Sequence, residues 1–100
     1  MAMNREECLK AAIECVCTNR NEQYGEPEDN FEVIAEFWRD YIDARYYSAV
    51  PLNSEDVALM MALFKIARLA TGTAKDDSFV DACGYLACGC EITSKVMMSV

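Results

Sequence analysis

Fourteen consecutive residues, Val57 to Ala70, contain only two that are not apolar, Lys65 and Arg68. Ser54 before the run suits a helix cap, Glu55 and Asp56 suit a first helical turn, and Gly72 suits the stop. The run therefore predicts a helix over about 54–70. A helix apolar nearly all round belongs inside a protein, so it is expected to be the central, most buried element. Its two cations are then the physical problem. A charge set against hydrocarbon has to be paired, hydrated or used on a ligand, because desolvating it alone is costly.

The rest of the chain reads as three more helices, an all-α single domain over 1–100 with no strands. The first spans about 4–22. Asn4 with Glu7 three residues on forms a capping box, and Cys8, Ala12, Cys15 and Val16 make an inward stripe. Gly25 and Pro27 are expected to end it. The second spans about 29–46, where Phe31, Ile34, Ala35, Trp38, Tyr41 and Ile42 fall on one face. Trp38 reads as core, and Glu32, Glu36, Asp40 and Asp43 most simply face water. The fourth spans about 77–95, capped by Asp76 or Asp77, with Val80, Cys83, Ala87 and Cys90 as a narrow stripe edged by Phe79 and Leu86. Gly84 inside it costs about 1 kcal/mol against Ala, which suggests a close approach by another helix or a ligand.

The net charge of −8 argues against nucleic acid or an anionic membrane as partner, and Glu, Arg or Asp interrupts every apolar stretch before it could span a bilayer. Nothing at the N-terminus reads as an export signal. With 53% apolar residues in 100, one protomer exposes more apolar surface than it readily buries, so a homo-oligomer is expected. Six cysteines and no histidine give no metal-clip spacing, and the cysteines read as reduced thiols packed as small apolar side chains. Without histidine, nucleophilic catalysis of the Ser-His-Asp or Cys-His kind has no base. There is no phosphate-cradling Gly-rich loop.

Helices three and four, joined by a short loop, should lie antiparallel and adjacent. Lys65 and Arg68 would then face Asp77 and Asp81. One reading is an interhelical ion-pair network that fixes register. The other is a phosphate site, with Arg68 as a bidentate fork, Lys65 as a point charge and the aspartates orienting them or holding a divalent cation. Arg20 and Tyr24, four apart at the exit of helix one, could add a phosphate contact and a stacking ring. Asn30 would tether or cap helix two. Glu32 and Glu36, with Asp77 and Asp81, are the candidate metal ligands, although a solvated face accounts for the two glutamates more simply.

Taken in order, Tyr24-Gly-Glu-Pro-Glu-Asp-Asn-Phe31, Ile34-Ala35 with Trp38, Asp56-Val-Ala-Leu-Met-Met61, Lys65-Ile-Ala-Arg-Leu69 and Asp77-Ser78 with Asp81-Ala-Cys-Gly-Tyr85 resemble a family of small phage- and prophage-encoded proteins of unassigned function, over about residues 18–92. More distantly, the Asp81-x-x-x-Tyr85-Leu86 helix is similar to the second acidic helix of MazG-like all-α nucleoside triphosphate pyrophosphohydrolases, which hold Mg²⁺ with carboxylates from two helices. Asp81 matches the last position of that motif, Ser78 stands where its Glu would be, and the Glu-Glu-x-x-Glu motif has no counterpart. The resemblance implies a nucleotide-shaped cleft more than turnover. The expectation is a protein of the bacterial host cytoplasm that binds a nucleotide or nucleotide-derived, even cyclic, signal through Arg20, Tyr24, Asn30, Lys65, Arg68, Asp77 and Asp81. It needs no cofactor and sequesters the signal against host defence. The alternatives are a Mg²⁺-dependent pyrophosphohydrolase and a helical adaptor that inhibits a host protein.

Overall fold

A computed structural model describes residues 2–19, 22–23, 25–72 and 76–98 of the chain. Among them are four α-helices and no strand: α1 (Arg5–Glu14), α2 (Pro27–Tyr46), α3 (Ser54–Thr71) and α4 (Asp76–Met98). A π-helical segment, Cys15–Asn19, extends α1. The expected capping box starts α1. The Asn4 side chain accepts from the Glu7 amide at 2.8 Å, and the Glu7 carboxylate accepts from the Asn4 amide at 3.4 Å.

Two boundaries differ from the sequence reading. Helix α2 begins at Pro27, not near Asp29, because proline's fixed φ and missing N–H suit the first helical position. Pro27 thus opens α2 as well as excluding α1. In α3 the cap is Asn53, not Ser54. Asn53 accepts from the Asp56 amide at 3.0 Å and Asp56 accepts from the Asn53 amide at 3.0 Å, while Ser54 is the first helical residue and is buried. Asn caps at least as well as Ser, and only Asn53 has an acidic residue three positions on. Helix α4 starts at Asp76, so its cap position lies outside the described residues.

The last helix organises the fold. Helix α4 packs against α1, its π extension, α2 and α3, whereas α1 and the π segment touch no helix but α4 among the described elements. Phe31 and Ala35 of α2, Val57 and Ala58 of α3, and Cys88 and Ile92 of α4 form the buried cluster, with Val16, Ile34, Trp38, Met61 and Tyr85 packed on it. Arg39 donates to the Leu52 carbonyl and pairs with Glu32 at 3.5 Å, tying α2 to the loop before α3.

Glycine permits two close helix contacts. A methyl on Gly84 would lie 2.8 Å from Val16 Cγ1, and one on Gly89 would lie 3.2 Å from Ala58 Cβ. The close approach expected at Gly84 is therefore made by the end of helix one.

Two burial expectations are corrected. Helix α3 is not the most buried element. It buries Ser54, Val57, Ala58 and Ala62 but leaves Leu59, Met60, Leu63, Phe64 and Ile66 at 40% or more exposure, because α2 and α4 cover only one side of it. Helix α4 does not bury one narrow stripe. Val80 is buried as expected, but Ala87 and Cys90 are exposed, and Ala82, Cys88 and Ile92 are buried instead, because neighbours pack on several sides. On α2, Tyr41 points to solvent while Phe31 and Ala35 hold the core. The six cysteines are not joined to one another; Cys88 is buried, Cys8, Cys15 and Cys83 are half-buried, and Cys17 and Cys90 are exposed.

Candidate functional site

The facing of Lys65 and Asp81 follows from helix geometry. Lys65 lies on the same side of α3 as Met61 and Ala58, the side turned to α4. Its ammonium stands 3.0 Å from Asp81 Oδ2, with the lysine side chain 18% exposed and the aspartate 36%. The pair bridges α3 and α4 and leaves Lys65 a fixed point charge, not a mobile one. Asp81 also reaches towards α1. The Cys15 thiol is pushed above its ordinary value first by burial and then by the negative charge of Asp81, with Glu14 and Asp77 adding to it.

Arg68, three residues on, is exposed and makes no ion pair among the described residues. It and Lys65 share one aromatic neighbour. The Phe64 ring, half exposed, has the Lys65 Nζ 5.7 Å and the Arg68 Cζ 5.8 Å from its centroid. Both fall within the range where a cation feels the ring's negative face. Phe64 was not singled out by the sequence reading, which placed the whole Val57–Ala70 run in the most buried helix. The signal was present: Phe64 and Arg68 are four apart, the spacing of neighbours on a helix surface.

The other candidates are more dispersed. Asp77 is exposed in the first turn of α4. Asn30, half-buried, donates its backbone amide to the Glu26 carbonyl in the first turn of α2. Glu32 is engaged with Arg39 and Glu36 is exposed. Among the described residues no three Cys, Asp or Glu side chains converge as a metal-holding group. Arg20 and Tyr24 lie outside the described residues. Two clefts open elsewhere. One of about 270 Å³ lies between the start of α1 and the start of α4 and is lined by Met3, Cys8, Phe79 and Cys83. The other, of about 290 Å³, lies beside Val16, Pro27 and Cys88. In the first, the Cys8 thiol is held above its ordinary value by burial, then by Cys83 and Asp76.

Residues 7–93, nearly all of this helical unit, match the family described as Domain of unknown function (DUF6378). The chain belongs to that family. Its relatives include the Gene 55 protein of Mycobacterium phage D29, 35% identical over 83 residues, or 83% of this chain and 51% of the relative. The Gene 55 protein of Mycobacterium phage L5 is 38% identical over 77 residues, or 77% of this chain and 46% of the relative. The chain thus spans about half the length of these curated relatives. No solved structure matches it. The matched span takes in Phe64, Lys65, Arg68, Asp77 and Asp81. No helix among the described residues is long and apolar enough to cross a membrane.

Proposed function

We propose that this protein binds a nucleotide or nucleotide-derived signalling molecule and sequesters it during phage infection. The observation that carries the reading is the Phe64 ring flanked by Lys65 and Arg68, with Lys65 held in place by Asp81. A nucleotide carries an aromatic face and an anion a few ångströms apart. Phe64 offers the stacking surface and Arg68 a planar fork for phosphate oxygens. Holding Lys65 against Asp81 lowers the entropy lost when a guest arrives, because the ammonium is already ordered. Arg20, Tyr24, Asn30 and Asp77 extend the reading from the sequence.

Calorimetry against AMP, ATP, cyclic dinucleotides and ADP-ribose tests it. Saturable binding is expected, weakened at least about tenfold by Phe64→Ala and by Arg68→Ala. No heat above dilution, or full binding by a Lys65→Ala/Arg68→Ala double variant, would refute it. Metal-dependent release of pyrophosphate that Asp81→Asn abolishes would instead make the protein a MazG-like pyrophosphohydrolase. A second reading, an adaptor that blocks a host protein, is favoured by Val33, Phe37 and Tyr41. They lie at four-residue steps on α2 and are 50%, 70% and 63% exposed.

A further inference from the structure

The protomer exposes more surface than a chain of its mass should. Folded monomers follow a scaling of accessible area with mass that gives about 5,700 Å² for 11.2 kDa. The chain exposes 7226 Å², an excess of about 1,500 Å² over that scaling. The radius of gyration agrees, at 14.9 Å where about 12.7 Å is typical of 100 compact residues. A standard interface takes about 800 Å² from each partner, so the excess is large enough to supply one.

One face has the right chemistry for such a contact. Leu59, Leu63, Ile66 and Ala70 run along the outer side of α3 at steps of four, three and four, the spacing of a two-stranded helical seam. Leu59, Leu63 and Ile66 are 43%, 62% and 48% exposed, and Ala70 is exposed too. The helix carries its only mid-run charges, Lys65 and Arg68, off this line. Charge selects the occupant. In a twofold contact both copies use the same patch, so a patch rich in carboxylates on this chain of net charge −8 would meet like charge. A stripe with no charge is self-complementary.

We propose that a second copy of this chain packs on α3, seam against seam along Leu59, Leu63, Ile66 and Ala70. Phe64 lies about a quarter-turn round the helix from Leu63, so the cation-flanked ring sits at the rim of the contact, not under it. The proposal stands whether or not a nucleotide binds there.

Sedimentation velocity and native mass spectrometry at micromolar concentration test it on the full chain. The wild type should run at twice 11.2 kDa. Leu63→Lys should weaken self-association at least roughly 100-fold, because each copy would bury an unpaired ammonium, with helix content unchanged by circular dichroism. Phe37→Lys, an exposed change on α2, should leave the dimer intact. If Leu63→Lys does not fold, Leu63→Ala/Ile66→Ala removes the same contacts without a charge and should weaken the dimer at least about tenfold. A monomeric wild type overturns the proposal. So does a dimer that survives the seam variants or is lost in Phe37→Lys.

Discussion

Replacing Gly84 by alanine sets two effects against each other. The new methyl would stand 2.8 Å from Val16 Cγ1, closer than packed carbons approach, so helix α1 or Val16 must shift. Val16 is β-branched and has little rotamer freedom in a helix, so it cannot easily swing aside. Overpacking of this kind costs about 1–3 kcal/mol, and a stiff neighbour places the cost at about 2–3 kcal/mol. Against it, removing a glycine from a helix interior returns about 1 kcal/mol. The net expectation for Gly84→Ala is a loss of about 1–2 kcal/mol, and about 4–8 °C of Tm for each kcal/mol. Urea unfolding followed by circular dichroism, at one fixed protein concentration, measures it. A cycle with Val16→Ala isolates the contact, since the methyl added by Gly84→Ala then fills the space the valine methyls leave. The double variant should be about 2–3 kcal/mol more stable than the two single effects predict by addition, the size of the relieved clash. Equal or greater stability in Gly84→Ala, or strict additivity in the cycle, would refute the account of how α1 is seated.

The remaining predictions concern the α3 cap and the thiols. Asn53→Ala should cost about 1 kcal/mol and Asn53→Gly only a few tenths, read from urea midpoints. Ser54→Ala should not reproduce the loss of the capping box. On brief alkylation at mildly alkaline pH followed by peptide mass mapping, exposed Cys17 and Cys90 should label several-fold faster than Cys8 and Cys15. Folding raises both of the latter thiols above the ordinary 9.0, so the folded state holds those protons more tightly. Their contribution is present in full below that value and lost as pH climbs through the folded one. Urea midpoints should therefore fall as pH climbs past 9.0, less so in a Cys8→Ala/Cys15→Ala variant.

Much of this architecture was legible because local signals and helical period agreed. Asn4 and Glu7 announced α1, Phe31 and Ala35 announced the inner face of α2, and a short loop with opposite charges on both flanks announced the Lys65–Asp81 bridge. Where the reading failed, two signals competed at one place. Asn53 and Ser54 are both good caps, and the reciprocal carboxylate at Asp56 decides between them. Pro27 can close one helix or open the next. The exposure of α3 was hidden for a different reason. An apolar run reports that something covers it, not whether the cover is the same chain. Phe64 was passed over because an aromatic inside such a run has no polar mark of its own. Only its position relative to Lys65 and Arg68 gives it away.

Because α1 and its π extension touch only α4 among the described elements, the docking contact of Val16 with Gly84 spans most of the chain. During synthesis α1 waits for its packing partner α4 until nearly seventy further residues are made, roughly 3–14 s at bacterial elongation rates. Its inner-face Cys8, Ala12, Cys15 and Val16 stay uncovered through that interval. The nascent α1 is thus most open to chaperones, or to a neighbouring nascent copy, before α4 emerges.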